Sequence, residues 1–277
     1  MEISWIESFF FGVISGLAEI LPMSAQAHQS ILLNLFGITD KHPMMALATM
    51  IGSVVAVAVS VSSVFRKIRR DYKMSCRSAS GRKRVVNLQN VFDMKLLRTA
   101  VIPLLLGLFL YSKVKHWRDM VPVMALLLAL NGLVLYLPSY FAKGNKDSRS
   151  MSRLDSLLIG IGNALGYLPG VSRMASGFSF ATIRGADSEQ AFKWTLILSV
   201  PALLGMICLD GYHIAASGMG ATDSVFLVKC LVTAIASCIG TGMGIGMIKK
   251  LITRVGLEGF SYYCWGAALF SFILYMY

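Results

Sequence analysis

The chain has 277 residues, of which 56% are hydrophobic and 14% charged, whereas a soluble domain carries about a quarter charged residues. So little polar surface cannot cover a water-soluble fold, and an all-α polytopic membrane protein is expected. The formal charge of +12 points to orientation in a bilayer and away from nucleic acid, because the basic residues sit between apolar runs with no aromatic interleaving of the kind that stacks bases.

Lys41 is the first lysine, so no basic region precedes the first apolar stretch and a cleavable signal peptide is not expected. Ser8–Gly37 is broken at its middle by Leu21-Pro22 and small polar residues. Each half is roughly 13 to 16 residues, too short to cross the bilayer, so the segment reads as a re-entrant helical hairpin whose tip reaches the mid-plane. The competing reading is a kinked transmembrane helix. Met44–Phe65 follows as a span, and then the longest polar stretch, Arg66–Lys95, is dense in lysine and arginine with only Asp71 and Asp93 against them. The positive-inside rule makes it a cytoplasmic loop. Leu96–Ser112 leaves, Val121–Phe141 returns, and Lys113, Lys115 and Arg118 between them face outward against the trend.

The linker 142–153 carries Lys143, Lys146, Arg149 and Arg153 on the inner side. Leu154–Gly185 repeats the broken pattern, again at Leu-Pro. A further span ends near Asp210 and His213, and Val225–Met247 and Gly256–Tyr277 complete the chain. Lys249, Lys250 and Arg254 then fall inside, and the loop from Ala216 to Asp223, free of basic residues, falls outside. The glycines between Gly240 and Gly246 read as a helix-packing face, and the five cysteines, with no metal-ligand spacing, read as packing residues.

The two broken segments look like copies. Pro22 pairs with Pro169 and, after one inserted residue, Ser24 pairs with Ser172 and Gly37 with Gly185. Each hairpin precedes three spans, so each unit crosses the membrane an odd number of times and the second is inverted. Residues 1–141 form the first repeat, with its hairpin at 8–37 and basic loop at 66–95; residues 154–277 form the second, with its hairpin at 154–185. Both termini lie outside, and the two tips meet near the bilayer centre.

A helix that starts at such a tip presents unpaired amides and a positive dipole end, and two opposed tips offer both to one phosphate group. Glu19, His28 and Arg173 are the ionisable residues nearest the tips, where a charge is costly and seldom accidental. Arg173 can fork two N–H donors onto phosphate oxygens, or form a structural ion pair with Glu19. Glu19 can orient His28, take a proton or help hold a divalent cation. His28 can attack phosphorus or protonate a leaving oxygen. Ser24, Gln26, Ser172 and Ser176 add hydroxyl and amide groups.

These residues resemble the undecaprenyl-diphosphate phosphatase (bacitracin-resistance) family, whose motifs read approximately Glu-Gly-x-x-Glu-x-Leu-Pro-x-Ser-Ser-x-Gly-His and Pro-Gly-x-Ser-Arg-Ser. Gly16, Glu19, Leu21, Pro22, Ser24 and His28 match the first; Pro169, Gly170, Ser172 and Arg173 match the second. The resemblance implies a bacterial plasma-membrane phosphatase that removes the terminal phosphate of undecaprenyl diphosphate to recycle the lipid carrier for cell-wall precursors. It implies a divalent cation, Mg²⁺ or Ca²⁺, at Glu19, a substrate-binding set that includes Gly170, and membrane lipid and polyprenyl diphosphate or phosphate as partners; a homodimer is compatible with it. Ser15, Ala25 and Met174 depart from the motifs, standing where the first glutamate, the second serine and the serine after the arginine would be. If the second serine is the nucleophile, Ser24 must replace it; if the histidine is, the machinery is complete. The alternative is a homologue that binds or translocates polyprenyl phosphate without cleaving it.

Overall fold

A computed structural model describes residues 3–38, 43–78, 86–141, 144–218, 223–254 and 257–276. Among them the chain is helical: α1 (Trp5–Ile20), α2 (Ala25–Leu35), α3 (Pro43–Ser78), α4 (Leu88–Val114), α5 (Val121–Tyr136), α6 (Arg153–Leu165), α7 (Arg173–Ile183), α8 (Ser188–Ala216), α9 (Ser224–Arg254) and α10 (Gly259–Met276), with short 3₁₀ turns after α4 and α5. Five helical stretches are long and apolar enough to cross a membrane: Pro43–Cys76, Leu88–Asp119, Val121–Tyr140, Ser188–Ala216 and Ser224–Ile252. Large apolar side chains such as Val59, Phe109, Leu126 and Leu231 are exposed on them, a surface that suits hydrocarbon and not water. The protein is therefore a multi-pass membrane protein. The expected sixth span is a helix, α10, but Ser261, Tyr262, Tyr263 and Trp265 dilute its apolar content.

The expected basic loop, 66–95, is mostly helix. α3 continues to Ser78 and α4 starts at Leu88, so α3, with 36 residues, is about 54 Å long and outreaches a hydrocarbon core of about 30 Å. Lysine and arginine are good helix formers, and the extension has a buried side: Ile68 and Asp71 are shielded, and Asn90 of α4 donates to the Asp71 carboxylate at 2.6 Å. Lys41, Arg82, Lys83, Arg84 and Lys143 lie outside the described residues.

The short helices α1 and α2 are separated by the break at 21–24, and α6 and α7 by the break at 166–172. Helix contacts run in reciprocal pairs. α1 packs on α9 as α6 packs on α4, while α3 meets α8 and α5 meets α10. The α1–α9 contact is backbone to backbone: a side chain at Gly16 would strike the Ser237 carbonyl, and one at Gly240 the Val13 carbonyl. Thr233 and Thr241 of α9 close it by donating to the carbonyls of Ser8 and Gly16, each at 3.1 Å. Gly240 thus packs as its sequence context predicts, whereas Gly242 and Gly246 face open space.

At the opposite side, fully buried Asp93 of α4 gathers the linker and α8. It accepts from Ser148, from Gln190 Nε2 at 2.6 Å, from Lys193 Nζ at 2.7 Å and from Trp194 Nε1 at 2.9 Å. Removing a buried carboxylate strands all of its donors at a cost of about 3–5 kcal/mol. Asp93→Ala is expected to lower the thermal unfolding midpoint in detergent markedly; an unchanged midpoint would show that this node does not hold the linker.

Candidate functional site

Both breaks are built alike. Leu-Pro lies in each break, directly after α1 and three residues after the end of α6. A serine starts the next helix: Ser24 caps α2 by accepting from the Ala27 amide at 3.5 Å, and Ser172 caps α7 by accepting from the Ala175 amide at 3.3 Å. Four residues after each cap, a side chain bonds the cap carbonyl. Ser176 Oγ donates to the Ser172 oxygen at 2.9 Å, and His28 Nδ1 lies 2.9 Å from the Ser24 oxygen. Ser24 adopts φ 65°, the left-handed region, and is the only non-glycine described residue to do so. A strained serine at a polar tip is the kind of conformation that persists where function requires it.

The two breaks are tied together by one side chain, Asn131 of α5, which is fully buried. Its Nδ2 donates to the Pro22 carbonyl at 3.0 Å, and its Oδ1 accepts from the Ser172 amide at 2.9 Å. A single carboxamide therefore satisfies a freed acceptor of the first tip and a freed donor of the second.

Glu19 and Arg173 meet at this junction. Arg173, the first residue of α7, donates through Nη2 to the Glu19 carboxylate and through Nη1 to Met206 Sδ at 3.1 Å; the two side chains are 5% and 12% exposed. Both line a small cavity with Ser24, Ala25, Gln26 and Ser172. Two polar atoms of this wall, Gln26 Oε1 and Arg173 Nε, are buried without a protein partner. Buried polar atoms are nearly always paired, so orphans on the wall of one cavity mark a place for a polar ligand. The cavity, about 20 Å³, has room for about one water.

His28 is close by but engaged elsewhere. Its Nε2 is 2.6 Å from the Tyr263 hydroxyl of α10 and the two rings stack. Because a carbonyl only accepts, Nδ1 carries a proton, and in the neutral ring Nε2 accepts from the phenol. No bond joins Glu19 to His28: the orienting groups are Ser24 and Tyr263. Of the remaining expected site residues, Ser172 lines the cavity, Ser176 spends its hydroxyl on the cap, and Gly170, at φ 96°, packs on the α5 backbone near Met124 and Leu128, where a Cβ would clash.

The donor set does not fit a resident divalent cation. Mg²⁺ and Ca²⁺ take six or more oxygens, usually with carboxylates among them. Among the described residues no group of three histidine, cysteine or acidic side chains is suitably placed, and the cavity's one carboxylate, Glu19, is already paired with Arg173.

Residues 8–270 match the family model described as bacitracin resistance protein BacA. The chain belongs to that family. Its relatives include an undecaprenyl-diphosphatase of Methanococcus maripaludis strain C7, 24% identical over 96% of this chain and 98% of the relative. One from Thermosipho melanesiensis is 26% identical over 95% and 96%, and the undecaprenyl-diphosphatase 1 of Shouchella clausii is 24% identical over 98% and 96%. Against the family motifs, Ala25 puts a methyl group on the cavity wall. Ser15, one turn before Glu19, is buried with its hydroxyl unpaired, and Met174 is core.

Sequence reasoning missed Asn131 and Tyr263. Asn131 carried a signal, being a lone carboxamide at the centre of the apolar run Val121–Phe141, where polar groups are costly. Tyr263 carried none, since a tyrosine near the end of a span ordinarily marks the interface. Asn131→Leu orphans the buried Ser172 amide, at about 1–3 kcal/mol, and leaves the Pro22 carbonyl only the weak Cys264 thiol donor. A clear drop in thermal stability in detergent is expected, and a variant as stable as the parent would mean that the tips do not depend on this carboxamide.

Proposed function

We propose that the chain is a membrane phosphatase that hydrolyses undecaprenyl or a similar polyprenyl diphosphate to the monophosphate. The observation that carries this reading is the cavity between the caps of α2 and α7, where the unpaired Gln26 Oε1 and Arg173 Nε share a wall with the Glu19–Arg173 ion pair. Family membership and the names of the relatives support the same substrate.

In this reading the two broken segments are re-entrant hairpins of an inverted repeat, a view supported by the reciprocal helix pairs and by the matching Ser24 and Ser172 caps. The basic extensions of α3 and α4 then lie in the cytoplasm by the positive-inside rule, with both termini outside. Substrate entry requires the tips to part, because the cavity holds about one water.

The diphosphate exchanges with Glu19 as partner of Arg173, whose guanidinium takes the terminal phosphate and neutralises charge gained in the transition state. Glu19, released, accepts the proton of Ser24 as its Oγ attacks the terminal phosphorus. The bridging P–O bond breaks and its electron pair leaves on the polyprenyl phosphate. Water then attacks the phosphoserine and gives its proton to a phosphate oxygen. The P–Oγ bond breaks, Glu19 returns its proton to the departing Ser24 Oγ, and inorganic phosphate leaves with Ser24 and the Glu19 carboxylate restored. Ser24 is favoured over His28 as nucleophile because it lines the cavity while both imidazole nitrogens are held at Ser24 O and Tyr263. His28 is then a positioning residue that holds the strained cap. A divalent cation enters as the salt of the diphosphate, not as a resident ion.

Phosphate release from a short-chain prenyl diphosphate by the purified protein tests the reading. Arg173→Ala and Ser24→Ala are expected to lose roughly 10²–10³-fold or more, and parental turnover in the arginine variant would refute it. Acid quenching during turnover separates the nucleophiles. An acid-stable phosphate on Ser24 is expected, and an acid-labile one on His28 would transfer the role to the imidazole.

A further inference from the structure

Away from the tips, α3, α4 and α8 enclose a groove of about 690 Å³ that shares no lining residue with the tip cavity. Its walls are apolar, with Ala58 of α3, Leu97 and Val101 of α4 and Pro201 of α8, and two guanidiniums, Arg66 and Arg98, also line it. A second hollow of about 560 Å³ adjoins it, sharing Val61 and Ile197, but Asp187, Glu189 and Lys193 among its lining make it polar and unsuited to an acyl chain.

The arginines are the informative feature. Arg66 donates only to the Ser62 carbonyl of its own helix, at 3.3 Å. Arg98 donates to the Tyr72 hydroxyl at 2.8 Å and lies over the Tyr72 ring. Among the described residues neither meets a carboxylate, whereas Lys193, close by, is paired with Asp93, and Arg70 with Asp71. Two exposed guanidiniums on neighbouring helices, at the end of the spans where the basic extensions begin, form an anion receptor without a protein anion. The groove beneath them opens on hydrocarbon and has the volume of a ligand site.

We infer that this groove is a binding site for an anionic glycerophospholipid of the surrounding leaflet, its phosphate held between Arg66 and Arg98 and its tails along the apolar groove walls. Guanidinium forks match phosphate oxygens, and anionic lipid gathers where basic segments leave a membrane. A protein helix as occupant would need acidic side chains at the bilayer border, whereas the lipid brings its negative charge in its headgroup. The site is independent of the hydrolytic reading, because it uses none of the tip residues.

Delipidated protein in neutral detergent, titrated by native mass spectrometry, tests this. The probes are phosphatidylglycerol, phosphatidylcholine, a short-chain polyprenyl monophosphate and inorganic phosphate. Phosphatidylglycerol is expected to be retained about 10- to 30-fold better than phosphatidylcholine, the preference two basic contacts supply. The double variant Arg66→Gln/Arg98→Gln, changed at exposed positions, is expected to lose that preference. Ala58→Trp, which fills the groove without altering charge, is expected to lower retention of both phospholipids. Equal retention of the two phospholipids, a preference that survives the double variant, or polyprenyl monophosphate or free phosphate outcompeting phosphatidylglycerol would each overturn the proposal.

Discussion

The structure turns on one buried carboxamide. A helix broken inside a bilayer leaves backbone donors and acceptors where no water can reach them, and such a break survives only if something else satisfies them. Asn131 does this for both breaks, accepting from the amide of Ser172 and donating to the carbonyl of Pro22. Its place on α5 joins the break before α2 to the cap of α7. The close packing of α1 on α9 through Gly16 and Gly240 and the Asp93 node at the far end of α4 and α8 fix the helices from which the tips hang.

The electrostatics at the tips follow from that placement. A lone carboxylate or guanidinium in a low-dielectric interior costs several kcal/mol, and pairing offsets much of it. Glu19 and Arg173 therefore hold one another while no anion is bound. In the proposed mechanism a phosphate that takes over the arginine frees the carboxylate to act as a base. Arg173 Nε and Gln26 Oε1 are buried without a protein partner, which favours a ligand able to supply both donors and acceptors.

Much of this was legible in the sequence, for physical reasons. Leu-Pro followed by small polar residues marks both breaks, although Pro103 and Pro201 stand inside α4 and α8. It is therefore the polar residues and serine caps beside Pro22 and Pro169 that make the breaks legible. The meeting of Glu19 with Arg173 follows from the scarcity of intramembrane charge, which leaves each one natural partner. Less could be read where packing decides. The polar stretch after Phe65 reads as loop by composition, yet helix propensity and the contact of Asp71 with Asn90 carry α3 on to Ser78. His28 reads as a partner of Glu19 by proximity along the chain, but α10, over two hundred residues away in sequence, brings Tyr263 to it instead. No local rule anticipates such a long-range contact.

The most direct measurement is an experimental structure in lipid with a non-hydrolysable prenyl diphosphate analogue. The account requires the terminal phosphate between Ser24 and Ser172, bonded to Arg173, with Glu19 released and Asn131 still bridging the two breaks. An analogue bound away from these residues, or Glu19 and Arg173 facing acyl chains on separated tips, would contradict it.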